Sequence, residues 1–135
     1  MIRAVNLAAR PFTRQLGAHY GISLNEWRCI RIIAVEGGVG SASALAERTG
    51  LDKMSTSRAV NGLERKRLVV RERDPADRRR YRITLSGPGR ALTEVLVPAS
   101  TARADLMLES LSMREREQLM DMLDRVIERV CAEPD

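Results

Sequence analysis

The chain has 135 residues, of which 44% are hydrophobic, 30% are charged and 3% are aromatic. This length allows one domain, or one compact unit with a dimerising arm, and excludes two independent cores. The formal net charge of +5 favours an anionic partner, either nucleic acid or a membrane surface. A membrane span needs a run of ~18 apolar residues, which the sequence lacks, so we expect a cytoplasmic protein that does not enter a membrane.

The positive charge is concentrated in the middle of the sequence. Residues 1 to 49 carry six basic and three acidic side chains, residues 50 to 82 carry eleven and five, and residues 83 to 135 carry six and ten. A basic middle beside an acidic, leucine-rich C-terminal third predicts an anion-binding element attached to a helical assembly element.

The first twenty residues have the pattern of an amphipathic helix. Its apolar residues recur at spacings of three and four, and they are Ile2, Val5, Ala9, Phe12, Leu16 and Tyr20. We expect Pro11 to bend this helix and Gly21 to end it.

A capping box begins the second helix. Ser23 and Glu26, three residues apart, can each accept a hydrogen bond from the other's backbone N–H. The inner face of this helix is predicted to carry Trp27, Ile30 and Ala34. The glycine-rich GGVG at 37–40 predicts a turn, after which Ser41 can cap a short third helix that Gly50 ends.

A tight turn around Gly50 connects the third helix to a fourth, KMSTSRAVNGLERKR, which Asp52 can cap, so the pair predicts a helix-turn-helix. The positions expected to be buried are Thr56, Ala59, Val60 and Leu63. A helix of this kind fits the major groove of DNA, where Arg best reads guanine and Asn best reads adenine. The candidate DNA-binding residues of this helix are Lys53, Met54, Ser55, Ser57, Arg58 and Asn61.

The segments LVVRERD and YRITLS flank the turn-rich PADRRR and predict a β-hairpin with a charged tip. In the second strand Tyr81, Ile83 and Leu85 alternate with polar residues, so one face can pack. Arginines at the tip can enter a narrow minor groove, where the negative potential is strong. The candidate DNA-binding residues of the hairpin are Arg73, Asp77, Arg78, Arg79 and Arg80.

Helical patterns follow Ser86. We expect the segment that begins GRALTEVL to be interrupted at Pro98, and Ser112 with Glu115 to form a second capping box that opens MREREQLMDMLDRVIERVCAE. The apolar stripe of this last helix is Leu119, Met122, Leu123, Val126, Ile127 and Val130. The predicted fold class is mainly α with a small β-hairpin wing, in which a winged helix-turn-helix lies between helical arms.

The span from Leu45 to Leu92 resembles the MarR (multiple antibiotic resistance regulator) family of transcription factors. Three segments carry the resemblance: the helix-turn-helix LAERTGLDKMSTSRAVNGLE, the wing signature DPADRRR, and ITLSGPGRAL in place of the family's usual Leu-Thr pattern between strand and helix. The resemblance implies a homodimer held by N- and C-terminal dimerisation helices that intertwine. Its two winged modules would meet successive major grooves of a pseudo-palindromic operator in double-stranded DNA.

The resemblance also implies residue roles and boundaries. Arg79 matches the family's wing arginine that enters the minor groove, and Asp77 matches the aspartate that orients the wing by pairing with a neighbouring arginine. Ser57 and Arg58 match recognition-helix positions. We expect a single MarR-like chain over 1–135, with a DNA-binding region at 23–86 and a dimerisation region formed by 1–22 and 87–135.

The chain departs from the family's pattern in three places. Many members have glycine after the recognition helix where this chain has Arg67, so the helix either ends without a left-handed residue or tolerates ~1 kcal/mol of strain. The Gly-Pro-Gly at 87–89 leaves the start of the fifth helix open. Three consecutive arginines at 78–80 leave open which of them enters the groove.

Members of the family bind small, often aromatic, anionic effectors between their dimerising and DNA-binding parts. His19, Tyr20, Trp27 and Arg31 are the candidates here for a pocket that takes an aromatic or phenolic effector. A core position for Trp27 is the alternative.

The two cysteines, Cys29 and Cys131, are too few and too far apart for a disulfide scaffold or a zinc pattern, so we expect reduced, buried thiols, with a redox switch as the alternative. We find no nucleophile–base pair, metal cluster or phosphate-binding glycine loop, and therefore expect no enzyme, metal or cofactor. The leading hypothesis is a dimeric, sequence-specific transcriptional regulator, a repressor that a ligand relieves. The alternatives are a non-specific architectural DNA-binding protein and a thiol-based oxidant sensor.

Overall fold

The computed structural model describes residues 2–133, and their side chains except those at 2, 4, 5, 6, 8 and 9. The helices are α1 Ile2–Gln15, α2 Leu24–Glu36, α3 Ala42–Thr49, α4 Lys53–Arg65, α5 Gly87–Met107 and α6 Met113–Cys131, and a π-helical turn, Leu16–Tyr20, continues α1. The strands β1 Val69–Arg73 and β2 Tyr81–Leu85 form an antiparallel hairpin. This order confirms the predicted fold class, whereas the apolar positions predicted at Ile2, Val5 and Ala9 lie outside the described side chains.

The chain divides into a compact unit that ends at Pro98 and another that begins at Ala99. The core of the first unit comes from its helices and from the hairpin: Leu16, Ile22, Trp27, Cys29, Ile30, Ile33, Val39, Leu45, Ala59, Val60, Leu63, Val69, Ile83 and Leu96. All four positions predicted to be buried in α4 are buried. One face of α4 is therefore fixed against the core and the opposite face is left for solvent. Among the described helices, none is long and apolar enough to cross a bilayer.

The hairpin is widened by a third short segment. Val39 donates its N–H to the carbonyl of Ile83 at 2.9 Å and accepts from the N–H of Ile83 at 2.8 Å. This pairing adds a third edge to the hairpin at a place where the sequence predicted only a glycine turn. Nothing in the sequence indicated a strand there, because a single apolar residue between glycines shows no alternation of apolar and polar residues. Ile83 is buried as predicted, but Tyr81 is 52% exposed because it lies at the far end of the register, opposite Arg73.

Both predicted capping boxes are confirmed. The N–H of Glu26 donates to Ser23 Oγ at 3.1 Å while the N–H of Ser23 donates to Glu26 Oε2 at 2.9 Å. Ser112 and Glu115 repeat the arrangement at the start of α6. Hydrogen bonding of the Glu115 carboxylate to the backbone of Ser112, and then to its side chain, lowers the pKa of Glu115. Each helix therefore begins where the sequence predicts because its free N–H groups are satisfied locally.

Two expectations are wrong. Helix α5 continues through Pro98, because a proline inside a helix removes one hydrogen bond and bends the axis without having to end the helix. Cys131 is exposed, since it ends α6, a helix with no buried residue in the single chain. Cys29 is buried as expected, and burial, followed by the nearby charge of Glu26, raises the pKa of its thiol to about 11.

Helix α5 begins directly after Ser86, which resolves the start that Gly-Pro-Gly left open. The hydroxyl of Ser86 donates to the carbonyl of Arg67 at 2.6 Å and accepts from the N–H of Gly89 at 3.1 Å. Gly89 is buried, and a Cβ added there would overlap the backbone carbonyl oxygen of Leu68. The glycine thus allows the first turn of α5 to lie against the backbone that leads into β1.

Arg67 adopts φ 57°, and it is the one non-glycine residue with a positive φ in the part of the chain that the structure describes. Helix α4 is therefore followed by a residue in the left-handed conformation, and arginine bears the backbone strain of that conformation. Replacing Arg67 by Gly should raise the free energy of unfolding by about 1 kcal/mol, measured by urea denaturation, because the left-handed region costs an L residue roughly that much. Arg65→Gly, inside α4, should instead lower it by about 1 kcal/mol. Equal effects of the two substitutions would contradict this explanation.

Candidate DNA interface

The turn between α3 and α4 is fixed by Gly50 and Asp52. Gly50 adopts φ 70° and donates its N–H to the carbonyl of Ala46 at 2.9 Å, which closes α3. Asp52 accepts the N–H of Ser55 at 2.8 Å and the hydroxyl of Ser55 at 2.6 Å. These hydrogen bonds, the hydroxyl's first, lower the pKa of Asp52 and keep its carboxylate ionised at the start of α4.

The exposed side of α4 presents a polar and basic surface, which we call the recognition face and which consists of Lys53, Met54, Ser57, Arg58 and Asn61. Met54 is 66% exposed, so even the apolar member of this face is left without packing. Ser55 was also predicted to contact DNA, but it is half-buried and already donates its hydroxyl to Asp52. The structure therefore places Ser55 in the cap of α4, beside the recognition face.

An ion pair that the sequence did not indicate joins the end of α4 to the start of α2. Glu26 accepts from Lys66 Nζ at 2.6 Å, beyond the C-terminal end of α4, while it also belongs to the capping box of α2. A Cβ at Gly62 would overlap the Glu26 carboxylate, so the glycine leaves room for that carboxylate in the position where it accepts from Lys66. An interior helix glycine costs about 1 kcal/mol relative to alanine, which is the signal that marks Gly62 for a packing role.

The hairpin is attached to the end of α4 by an ion pair. Arg71 Nε in β1 lies 2.7 Å from Glu64 Oε1 in the last turn of α4, and both side chains are partly exposed. An ion pair this accessible adds little stability. Its geometric consequence is that the strand and the recognition helix are joined at a defined point.

The tip of the hairpin, residues 74 to 80, which we call the wing tip, is ordered by hydrogen bonds from the backbone to aspartates. Asp74 accepts the N–H of Ala76 at 2.9 Å, and Asp77 accepts the N–H of Arg79 at 3.0 Å. The loop is closed by the N–H of Asp74, which donates to the carbonyl of Arg80 at 2.8 Å. Asp side chains favour turns in which they accept the backbone N–H two residues further along the chain. These hydrogen bonds give the loop a defined shape although it is exposed.

The arginines of the hairpin differ in their surroundings. Arg73 donates to the carbonyl of Arg78 at 3.2 Å and lies 5.6 Å from the centre of the Tyr81 ring. Arg80 Nε lies 3.7 Å from a carboxylate oxygen of Asp77. Within the described residues, the guanidinium groups of Arg78 and Arg79 have no hydrogen bond or ion pair, and both residues are exposed. These two side chains therefore lose the fewest contacts when they move onto another molecule.

The arrangement matches that of known regulators. A profile described as MarR family matches residues 20–80. A protein of Thauera aromatica, named as a candidate transcriptional regulatory protein for the hcr operon, is 34% identical over 120 residues, which cover 88% of this chain and 71% of that protein. The chain belongs to the MarR family.

Two other relatives agree with this assignment. The HTH-type transcriptional repressor NicR of Pseudomonas putida is 29% identical to this MarR-family chain over 91 residues, 67% of the chain and 58% of NicR. The crystal structure of a MarR/EmrR family regulator from Acinetobacter sp. ADP1 superposes with a TM-score of 0.85 at 26% identity, over 98% of this chain and 95% of that one. The protein is therefore a transcriptional regulator with a winged-helix DNA-binding fold, and it is not an enzyme.

The four candidate effector residues of this MarR-family chain lie in two environments. Trp27 is 5% exposed and packs edge-on against Phe12, with ring centres 5.5 Å apart, as a core tryptophan does. His19 and Tyr20 are exposed, with their rings 6.3 Å apart, and Arg31 is exposed on α2. An effector pocket made of all four would need to reach from the surface to the core.

Proposed function

We propose that this MarR-family regulator is a homodimer that represses transcription by binding a pseudo-palindromic operator sequence-specifically in the cytoplasm, and that a small aromatic or phenolic anion relieves the repression. The observation that carries the proposal is the joining of a basic recognition face to an arginine-rich wing tip through Glu64 and Arg71. Residues 23–86 would form the DNA-binding region, and residues 1–22 with 87–135 the dimerisation region.

The two basic elements suit different grooves. A helix fits the major groove, where Arg58 and Asn61 are the side chains on the recognition face best able to form bidentate bonds with guanine and adenine. The wing tip is an exposed loop rich in arginine, and arginine suits a narrow minor groove, where the negative potential is strong. Lys53 and the remaining arginines would contact phosphates and fix the register.

Arg58→Ala should therefore relax sequence preference at one base position in each half-site, at a cost of roughly 1 to 3 kcal/mol for the preferred base. Arg58 is exposed, so the substitution should leave thermal unfolding unchanged. Competition binding with operators mutated one base pair at a time measures the preference. A uniform loss of affinity for every sequence would instead assign Arg58 to phosphate contact.

The need for a partner chain is clearest in α6. None of its residues is buried, yet it carries the predicted apolar stripe, in which Leu119 is half-buried and the other five residues are 40% to 64% exposed: Met122, Leu123, Val126, Ile127 and Val130. An apolar stripe on an otherwise charged helix is stable in water when another surface covers it. We propose that the covering surface is the same region of a second copy, in keeping with the dimers of the family.

Ile127→Asp should weaken the dimer by about 100-fold or more, because an unpaired carboxylate in an apolar interface costs about 3 kcal/mol or more. Sedimentation equilibrium over a range of concentrations measures the dissociation constant. Glu128→Gln changes a neighbouring exposed residue of the same helix and should leave the dimer intact. A dimer unaffected by Ile127→Asp would place the interface elsewhere.

Sequence selection from random DNA, followed by footprinting, tests the proposed function. We expect a two-fold symmetric protected site and a specific affinity at least a thousandfold (~10³) above that for random DNA. Binding that is indifferent to sequence, with affinity determined by salt alone, would support the architectural alternative instead.

The oxidant-sensor alternative is weakened by the chemistry of Cys29. Its raised pKa keeps the thiol protonated at neutral pH, and the thiolate is the reactive form. Cys131 is exposed and is therefore the thiol that an oxidant could reach. Alkylation of both cysteines should leave the oxidant response of operator binding unchanged, and a response that alkylation abolishes would restore this alternative.

Relief by an effector is tested on the purified protein with a panel of phenolic and aryl carboxylic acids. We expect one or more of them to raise the thermal stability and to lower the operator affinity, because a ligand that favours one state must shift both equilibria. A panel without effect on either quantity would remove ligand relief from the proposal.

A further inference from the structure

Met54 is an apolar side chain on a surface that is otherwise polar or charged. It is 66% exposed, and the other members of the recognition face are Lys53, Ser57, Arg58 and Asn61. Among the described residues, neither the core nor the apolar side chains packed against it include Met54. Packing within the chain therefore does not account for a methionine at this position.

The backbone that carries Met54 is held in place on both sides. Asp52 accepts the N–H of Ser55 at 2.8 Å and its hydroxyl at 2.6 Å, which fixes the first turn of α4. Thr56 is fully buried and donates its hydroxyl to the carbonyl of Asp52 at 2.9 Å, which fixes the opposite face. The direction in which the Met54 side chain leaves the helix is therefore defined, while its three rotatable bonds let the thioether adapt to the surface that it meets.

Met54 is the second residue of α4, near the end of the helix that approaches base edges most closely when a recognition helix enters the major groove. Arg58 follows one turn later on the same face. Four residues advance about 6 Å along a helix, and successive base pairs are about 3.4 Å apart. The bases facing Met54 and Arg58 are therefore separated by at most about two base pairs.

The major groove offers one apolar group, the 5-methyl group of thymine, among edges that otherwise present donors and acceptors. The sulfur of methionine is only a weak acceptor. Placing Met54 against an amino group or a carbonyl oxygen would remove water from that group without replacing the hydrogen bond, which is costly. Placing it against a thymine methyl removes apolar surface on both molecules from water, which is favourable. A methionine at this position can therefore favour thymine and also disfavour the other bases.

We propose that Met54 is a specificity-determining residue that contacts the 5-methyl group of one thymine in each operator half-site, within about two base pairs of the base that Arg58 contacts. The inference rests on the proposed function, because it requires α4 to lie in the major groove of an operator. It adds an apolar contact to the hydrogen bonds proposed for Arg58 and Asn61. The sequence preference at this thymine then depends on its methyl group.

Deoxyuridine provides the test, because it lacks the methyl group of thymidine and keeps the same hydrogen-bonding groups. The selected operator is synthesised with deoxyuridine in place of one thymine at a time, in both half-sites together, and fluorescence anisotropy measures the affinity. We expect one such position, close to the base pair whose preference depends on Arg58, where the replacement weakens binding by about tenfold. Replacement of the other thymines should have little effect.

Met54→Ala should weaken binding to the thymine operator by about tenfold or more, and deoxyuridine at that position should then cause no further loss. The side chain is exposed, so thermal unfolding should stay unchanged. Val35→Ala is the matched control, since Val35 is also apolar and 67% exposed but lies on α2, outside the recognition face. It should leave both the affinity and the effect of deoxyuridine as they are.

Three results would overturn the inference while leaving the proposed function in place. They are a specific operator without a methyl-dependent thymine near the Arg58 position, an affinity unaltered by Met54→Ala, and a deoxyuridine effect that persists in Met54→Ala. The last of these would assign the effect to the shape of the DNA. A selection that returns no preferred sequence would overturn the proposed function, and this inference with it.

Discussion

Gly89→Ala should lower the free energy of unfolding by on the order of 3 kcal/mol, and the midpoint of thermal unfolding by roughly 10 °C. The added methyl group would overlap the carbonyl oxygen of Leu68, a backbone atom that cannot rotate away as a side chain can. Relief requires moving either the first turn of α5 or the segment that leads into β1. Either movement strains the pair of hydrogen bonds that Ser86 makes with Arg67 and Gly89.

Gly87→Ala is the matched control, two residues earlier in the same helical turn. Nothing lies within 4 Å of a Cβ added at Gly87, so the substitution should leave the stability unchanged or raise it by up to about 1 kcal/mol. Thermal unfolding followed by circular dichroism compares the two variants. If both substitutions stabilise the protein equally, close packing of α5 against Leu68 is not the reason for Gly89.

The beginnings of helices could be predicted from the sequence because they depend on residues three or four apart. Ser23 with Glu26, Ser41, Asp52, and Ser112 with Glu115 all cap the helices they were expected to cap. The buried face of α4 followed from its helical period for the same reason. Local hydrogen bonds and side-chain periodicity depend on the residues of one short segment, so they can be recognised as patterns in the sequence.

Contacts between distant segments could not be predicted in this way. The Lys66–Glu26 ion pair joins residues 40 positions apart, and Val39 pairs with Ile83 across a similar interval. Neither pair has a sequence pattern, because their meeting depends on how α2, α4 and the hairpin pack.

The conformation of Arg67 could be predicted from the sequence only in part. Its departure from the family's glycine raised two possibilities, and the sequence could not choose because the backbone angle of one residue depends on the positions of both neighbouring elements. The observed φ of 57° means that arginine takes the left-handed position and bears its strain. The wing tip is similar, since its arginines were evident but their separate surroundings were not.

Arg79→Ala should reduce operator affinity by about 100-fold or more while leaving thermal unfolding unchanged. The side chain is exposed and makes no hydrogen bond or ion pair within the described residues, so its removal costs the folded chain little. Its backbone N–H is held by Asp77, which fixes the direction in which the side chain leaves the wing tip. A groove-inserted arginine is worth roughly 1 to 3 kcal/mol, and the dimer would lose two of them. Fluorescence anisotropy with the selected operator measures the loss.

Arg80→Ala separates the members of the arginine triplet. Arg80 lies beside the carboxylate of Asp77, so moving it into a groove would break that contact. We therefore expect Arg80→Ala to weaken operator binding less than Arg79→Ala, by about tenfold or less. The reverse order would assign the groove contact to Arg80.

Arg79→Lys distinguishes insertion into the minor groove from simple attraction to phosphate. Lysine keeps the positive charge but holds its water more tightly and lacks the planar fork, so it enters a narrow groove at greater cost. A phosphate contact would be largely restored by lysine, and the slope of affinity against salt would return to that of the unaltered protein. We expect lysine to restore the salt slope but not the affinity for an operator with an A·T-rich flank. Full restoration of that affinity would make Arg79 a phosphate contact, and the recognition face of α4 would then carry the sequence preference without help from the wing.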